Sequence, residues 1–153
     1  MNNALTRAVF GRKLNKTYTL SEALSMLNDM ELIQIGELAE LAISEQSGVA
    51  LCAKNTPDID TVTGKQIKHA QTHPERGAMN AYFGINTTAP ILLVVTENLT
   101  KKQYYFHIPY EYYSEMNGNS ISIPFNTDGT PKTTNRWWAH EVNDFNELCA
   151  LAH

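Results

Sequence analysis

The chain has 153 residues, with 12 Lys and Arg against 16 Asp and Glu, and a net charge of −4. This length suits a single domain over residues 1–153, and the negative balance argues against a protein that holds nucleic acid through a uniformly basic surface. The two cysteines lie far apart, and the sequence has neither a signal-peptide pattern nor an apolar run long enough to span a membrane, which predicts a cytoplasmic protein in a reducing compartment.

The N-terminal segment over residues 1–18 is basic, because every charged side chain before Glu22 is positive. We expect this arm to contact phosphate groups, with a solvated tail as the alternative. Its candidate nucleic-acid contacts are Arg7, Arg12 and Lys13.

Two helices are predicted next. A capping-box pattern at 19–22 favours a short helix over 20–29, and a second helix over 30–46 is expected to end at Gly48. Glu40 borders the apolar stripe of the second helix, next to Gly36, whose missing side chain leaves room for a metal ion or a phosphate. The alternative is that Glu40 belongs to a solvated acidic face.

The segment over 49–53 is short and apolar, which predicts a first strand. It leads into a predicted hairpin over 57–71, whose turn lies at 61–64 because Gly64 can adopt positive φ.

This hairpin carries the candidate chemistry. Strand alternation places Asp58 and Asp60 on one face of its first strand, and Gln66 and Lys68 on one face of its second. If Asp58 lies opposite Gln66, oxygen ligands and an ammonium group converge, which suits a hard cation held against a phosphate.

A helix over 74–83 is predicted after the hairpin, because residues 72–75 repeat the capping-box pattern with Pro74 in the first turn. Arg76 and Asn80 would lie four residues apart on one face of this helix. We expect them to contact the phosphate backbone of a nucleic acid, or otherwise to be ordinary surface residues.

Three strands are predicted beyond it. The run over 90–96 is almost wholly apolar, which is typical of a strand buried on both faces. A second strand over 103–109 follows through a hairpin loop at 97–102, and the alternating segment over 120–123 is expected to form an edge strand. The aromatic residues near 104–113 either stack on bases or, more simply, pack a strand edge against the core.

The polar segment over 117–135 is predicted to be mostly loop, in which Lys132, together with the following Arg136, can approach a phosphate backbone. The neighbouring Trp137 and Trp138 are expected to anchor it to the core. Asn143 is expected to cap a closing helix that continues to about Leu151.

Taken together, Pro57-Asp58 and Gln66-Ile67-Lys68 resemble the PD-(D/E)xK motif of the restriction-endonuclease-like nuclease superfamily. The resemblance covers about residues 30–110, with an acidic helix before the hairpin and a helix and apolar strand after it. It implies an α/β fold with a central mixed β-sheet flanked by helices, in the form of a restriction-endonuclease-like core.

The resemblance also implies a function, that of a metal-dependent DNA endonuclease of restriction or homing type. Lys68 would orient the attacking water or stabilise charge on the phosphate. Because the ligands are all oxygens, the expected ion is Mg²⁺, with Mn²⁺ as a substitute. Double-stranded DNA is the expected partner, and a homodimer or higher oligomer would allow both strands to be cut. The implied catalytic residues are Glu40, Asp58, Gln66 and Lys68, and the implied metal ligands are Asp58, Gln66, Glu40 and Asp60.

Gln66 departs from the motif, which usually has a carboxylate there, so the site should bind Mg²⁺ more weakly or hold fewer ions. The alternative is therefore a catalytically inactive nuclease-fold module that binds a protein or nucleic-acid partner. A metal site at His69 and His73 is disfavoured, because His69 points away from Lys68 and Pro74 interrupts helical spacing. A cysteine hydrolase is disfavoured too, because Cys149 lies on an apolar stripe.

Overall fold

The computed structural model describes residues 35–53, 56–74, 77, 79–116 and 119–153. The predicted basic arm over 1–18, the helix over 20–29 and the predicted start of the second helix lie outside these residues. The helices and strands in chain order are α1 (Ile35–Ser47), β1 (Gln66–Gln71), β2 (Asn80–Gly84), β3 (Ile91–Thr96), β4 (Gln103–Ile108), β5 (Ser120–Pro124), β6 (Glu141–Val142) and α2 (Phe145–Ala150).

A four-stranded mixed sheet lies at the centre, in the order β1-β3-β4-β6. β1 runs parallel to β3, whereas β4 is antiparallel to both β3 and β6. β3 is buried from Ile91 to Val95, as its unbroken apolar run predicts. The predicted mixed sheet, the strands over 90–96 and 103–109 and the hairpin between them are therefore confirmed.

Different layers cover the two faces of this sheet. On one face, Leu92 and Val94 pack in a core with residues of α1 and α2. On the other face, Leu93 and Val95 pack against β2 and β5, which form a two-stranded antiparallel sheet that we call the ribbon. Among the described elements the helices thus flank one face only, and the ribbon takes their expected place on the other.

Alternation along β1 decides which side chains reach each layer. Ile67 belongs to the core on the helix side, and Ala70 belongs to the core on the ribbon side. Because side chains in a strand repeat every two residues, Gln66 and Lys68 share the ribbon-side face with Ala70. The motif residues of β1 therefore point away from α1.

The predicted helix over 74–83 is wrong, and its second half forms β2. The amide of Gly77 donates to the carbonyl of Pro74 at 2.9 Å, and Gly77 has a φ of 71°, so the chain turns where the helix would have continued. Ala81 and Phe83 are buried on the inner face of the new strand. Burying every second residue against the main sheet stabilises a strand here by more than the capping-box pattern stabilises a helix.

The predicted strand over 49–53 is also wrong, since only an isolated bridge joins Leu51 to Thr61. The first strand of the expected hairpin does not form either, because Asp58 adopts a φ of 73°, which interrupts extended backbone. The turn at 61–64 is confirmed: the amide of Gly64 donates to the carbonyl of Thr61 at 3.0 Å, and Gly64 has a φ of 86°.

The ends of the remaining elements follow local capping. Gly48, with a φ of 75°, donates its amide to the carbonyl of Ser44 at 2.9 Å and closes α1 as predicted. α2 is capped by Asp144, one residue after the predicted Asn143, because the Asp144 carboxylate accepts a hydrogen bond from the amide of Glu147 at 2.8 Å. The strand over 120–123 is confirmed as β5.

Trp137 and Trp138 are both buried, so the predicted anchor of the polar loop is confirmed. In the part of the chain that the structure describes, no helix has both the length and the apolar character needed to cross a membrane.

Candidate functional site

The candidate site centres on a contact between Asp60 and the start of β1. Oδ2 of Asp60 accepts hydrogen bonds from Nε2 of Gln66 and from the amide of Ile67, each at 2.7 Å. The amide of Asp60 in turn donates to the carbonyl of Lys65 at 2.8 Å, so the tight turn holds the two segments together. A carboxylate and a carboxamide therefore meet at the edge of the sheet.

Lys68 brings a positive charge to the same face, two residues beyond Gln66. Its Nζ donates to Oδ1 of Asn86 at 3.1 Å. Desolvation by burial raises the pKa of Asp60 above its ordinary value, while the amide of Ile67 and the charge of Lys68 act in the opposite direction. The ammonium group is thus close enough to influence the carboxylate electrostatically.

Asp58 is used differently. Its two carboxylate oxygens accept hydrogen bonds from the amide of Thr88 at 2.6 Å and from the Thr88 hydroxyl at 2.8 Å. Its main-chain carbonyl accepts from the hydroxyl of Thr87 at 2.6 Å. The bonds from Thr88 lower the pKa of Asp58, because they favour its charged form. The expected pairing of Asp58 with Gln66 is not formed, and Asp60 takes its place.

Glu40 lies on an element that covers the other face of the sheet. Its neighbours Ala39 and Ile43 pack in the helix-side core with Ile67. Gln66 and Lys68 project to the ribbon side, so the sheet separates the helix that carries Glu40 from the face that carries the motif. The described contacts do not bring Glu40 together with Asp60.

The predicted nucleic-acid contacts fall into two groups. Arg7, Arg12, Lys13 and Arg76 lie outside the described residues. The other three are exposed: Asn80 begins β2, Lys132 lies beside the end of β5, and the guanidinium of Arg136 stacks 4.4 Å from the centre of the Trp137 ring. These three belong to the ribbon or its margins, whereas Asn80 was expected on a helix.

Sequence reasoning missed Asn86 and Thr88, which hold Lys68 and Asp58 respectively. A signal for them was present. In the sequence Ala81, Phe83 and Ile85 are spaced two apart, and in the structure exposed and buried residues alternate without a break from Asn80 to Ala89. Interpreting this period as a strand would have placed Asn86 and Thr88 together on an outer face.

Two other candidates for chemistry, His69 and Cys149, lie on the helix side of the sheet. Nε2 of His69 contacts the hydroxyl of Thr96 at 2.8 Å on the face opposite to Lys68. Burial raises the pKa of the Cys149 thiol to about 12, so this cysteine is not a ready nucleophile. Within the described ranges, no group of three or more His, Cys, Asp or Glu side chains is arranged to hold a metal ion.

No protein-family model matches the chain, and no curated protein matches it.

Proposed function

We propose that the chain is a Mg²⁺-dependent DNA endonuclease with its centre at Asp60, Gln66 and Lys68. The observation that supports this most directly is the 2.7 Å contact between Asp60 and Gln66, with Lys68 next along the same face. The acidic residue, the polar residue and the lysine of the resembled motif thus lie next to one another. Asp60 occupies the place beside Gln66 that the sequence spacing first suggested for Asp58. We also propose that the mixed sheet and its helices form a core of the restriction-endonuclease type.

The donor set fits a hard cation. Both hydrogen bonds that Asp60 accepts from the described residues end on Oδ2, so Oδ1 offers its lone pairs to an ion. Gln66 donates through its amide nitrogen and keeps its carbonyl oxygen as a second donor of the type that Mg²⁺ and Mn²⁺ prefer. With one carboxylate and one amide, the site is suited to a single, weakly held ion whose remaining positions are taken by water and phosphate.

When bound, the metal ion would polarise the phosphoryl oxygen and activate a water molecule. Lys68 would hold its ammonium group against the phosphate, where negative charge develops during hydrolysis. Asn86 positions that ammonium group through its carboxamide oxygen. Asp58 positions the segment that carries Asp60, because it ties residues 57–60 to Thr88.

A single centre cuts one strand at a time, so cleavage of both strands of a duplex requires two centres. We therefore propose that two copies act together, with each contributing one centre. A monomer would nick supercoiled DNA, whereas a dimer would linearise it.

A specific observation favours a second candidate, an inactive binding module. Asp58 is fully engaged with Thr88, and Gln66 is neutral, so the described site has one carboxylate for a metal ion where the motif usually has two. A site with this little negative charge would serve as a rigid surface for a partner if it failed to hold Mg²⁺.

Supercoiled plasmid and linear DNA, incubated with and without Mg²⁺ or Mn²⁺, separate the two candidates. The wild type should cut in the presence of metal. Asp60→Asn and Lys68→Ala should each lower the rate by about 100-fold or more, since the first removes the carboxylate that would hold the metal ion and the second removes the ammonium group that would face the phosphate. Matched controls are Glu141→Gln, exposed on the opposite edge strand β6, and Lys102→Ala, exposed in the β3–β4 turn, and both should cut at the wild-type rate.

Cleavage that survives both Asp60→Asn and Lys68→Ala would show that the centre lies elsewhere. Absence of cleavage by the wild type on a broad DNA mixture, together with no rise of the melting temperature in Mg²⁺, would favour the inactive module.

A further inference from the structure

A row of exposed residues leads away from the proposed centre along the ribbon. Its end lies beside the centre, because Oδ1 of Asn86 accepts the hydrogen bond from Nζ of Lys68 at 3.1 Å. Tyr82 lies in the middle of the row and is 62% exposed, although large aromatic side chains are mostly buried. The exposed row consists of Asn80, Tyr82, Gly84, Asn86 and Thr88.

The second strand widens this row into a surface. In the antiparallel pairing of β2 and β5, Tyr82 lies opposite Ser122 and Gly84 lies opposite Ser120. Directly opposed residues in a sheet point to the same side, so both serines belong to the outer face of the ribbon. The inner face is apolar and packs on the main sheet, which leaves the outer face as a narrow polar strip two strands wide.

Charge is distributed unevenly over this strip. Residues 79–89 and 119–127 contain no charged side chain. Two exposed cations lie at opposite ends of β5. The amide of Lys132 donates to the carbonyl of Pro124 at 3.2 Å, at the end of the strand. Nη2 of Arg136 contacts Sδ of Met116 at 3.1 Å, and the carbonyl of Met116 accepts from the amide of Asn119, just before the strand begins.

We propose that the outer face of the ribbon enters the major groove of duplex DNA and contacts base edges, while Lys132 and Arg136 contact phosphates on either side. This inference rests on the proposed nuclease function and assigns its recognition surface. A two-stranded antiparallel ribbon is one of the elements that the major groove admits. Asn and Ser side chains both hydrogen-bond to base edges, and cations at the margins supply the sequence-independent contacts that fix register.

The test is selection from a pool of duplexes with a randomised central segment. Ca²⁺ replaces Mg²⁺ during selection so that binding is measured apart from cleavage. Ca²⁺ takes the same oxygen ligands but does not impose the strict octahedral geometry of Mg²⁺. The wild type should enrich a defined sequence. Asn80→Ala and Tyr82→Ala should each lower affinity for that duplex by about 10-fold or more and relax the preference at some of its positions. Ser122→Ala, a smaller change on the facing strand, provides a third variant if either of these fails to fold.

Lys132→Ala should behave differently, because a phosphate contact carries no sequence information. It should weaken binding to all duplexes alike and reduce the slope of log affinity against log salt by about 1. Leu99→Ala, which removes a 54% exposed side chain from the β3–β4 turn, is the matched control and should leave both affinity and preference unchanged.

The cleavage assay, run in parallel in Mg²⁺, separates failure of this inference from failure of the proposed function. If the wild type cuts DNA but the ribbon variants keep its affinity and preference, the ribbon is not the recognition surface and the nuclease proposal stands. If the wild type selects a sequence that the ribbon variants lose, yet never cuts, the surface is assigned correctly and the protein is a binding module. If the wild type captures no duplex from the pool and cuts none in Mg²⁺, both proposals are overturned.

Discussion

Gly129 lies directly against the buried carboxylate of Glu97, so closely that a Cβ atom at Gly129 would stand 2.6 Å from Oε2. That carboxylate accepts hydrogen bonds from the amides of Leu99 and Thr100 at 2.9 and 2.7 Å. It also accepts from the Thr100 and Thr72 hydroxyls at 2.6 and 3.3 Å. One side chain thus joins the end of β1, the β3–β4 turn and the loop beside β5.

Gly129→Ala should destabilise the protein by about 1–3 kcal/mol, for two reasons. The residue has a φ of 84°, which disfavours any side chain, and the new methyl group would overlap Glu97. Denaturant titration measures the change, with an unchanged slope indicating an effect on stability alone. Gly64→Ala is the comparison, because its φ of 86° is similar but a Cβ there meets nothing within 4 Å. Equal losses in the two variants would contradict the close contact.

Glu97→Gln should cost about 2–4 kcal/mol, because a carboxamide cannot accept all four hydrogen bonds and a buried network loses its charge. Burial alone would raise the pKa of Glu97, but the hydrogen bonds from Thr100, Leu99 and Thr72 outweigh it and hold the pKa below 4.5. A lowered folded pKa gives stability that is complete above the unfolded pKa and is lost as the pH falls through the folded value. The difference in the free energy of unfolding between wild type and variant should therefore be constant near neutral pH and shrink in acid. A gap that widens in acid would reverse this sign.

Removing the Asp58–Thr88 contact should loosen the segment that carries Asp60 without removing a group that takes part in hydrolysis. Thr88→Val deletes the hydroxyl that Asp58 accepts at 2.8 Å, and because this carboxylate is exposed we expect a loss of only about 0.5–1 kcal/mol. In the nuclease assay the rate should fall by less than for Asp60→Asn. A fall as large as that of Asp60→Asn would return Asp58 to the centre as a direct ligand.

Metal binding should depend on the protonation of Asp60. Desolvation raises its folded pKa above 3.8, so without metal this group makes the protein less stable as the pH rises through that folded value. Mg²⁺ needs the charged form, and its stabilising effect should appear only above the same pH. Thermal melts with and without Mg²⁺ across a pH series test this. The shift should be present at neutral pH, vanish in acid and be absent in Asp60→Asn.

The two cysteines should differ sharply towards a thiol reagent. Burial raises the pKa of Cys149 to about 12, so at neutral pH its reactive thiolate is scarce. Cys52 is half-buried and should be modified in the folded protein. Mass spectrometry after timed labelling should find modification at Cys52 first and at Cys149 only after unfolding. Early labelling of Cys149 in the folded state would show that α2 opens readily.

Sequence patterns predicted some parts of this fold well, and the reason is physical. β3 could be predicted because an unbroken apolar run of this length is stable only as a buried strand or helix. The turn at 61–64 could be predicted because Gly64 readily adopts positive φ. β2 was mistaken for a helix because Thr72, His73, Pro74 and Glu75 form a convincing local start, whereas its inner face exists only once β5 and the main sheet are in place. Tertiary packing overrode a local signal.

Strand alternation predicted part of the arrangement of the candidate site. Lys68 and Gln66 do share a face of β1, but Asp60 and not Asp58 contacts Gln66. Which aspartate meets Gln66 depended on the backbone at Asp58, whose positive φ no residue pattern indicated. Asn86 and Thr88 continue the period-2 pattern of β2, which the predicted helix over 74–83 obscured, and long-range contacts decide that they meet Lys68 and Asp58.

The parallel pairing of β1 with β3 has a consequence for how the protein folds. The β3–β4 hairpin closes a short loop, whereas Gln66 must find Ile91 and Asn80 must find Pro124 across far longer stretches of chain. Because closing longer loops costs more entropy, we expect the hairpin to form early and β1 with the ribbon to dock late. Substitutions in β3 and β4 should then slow folding, while those in β1 should mainly speed unfolding. The strand that carries Gln66 and Lys68 would therefore be the last strand of the sheet to dock during folding and the first to detach during unfolding.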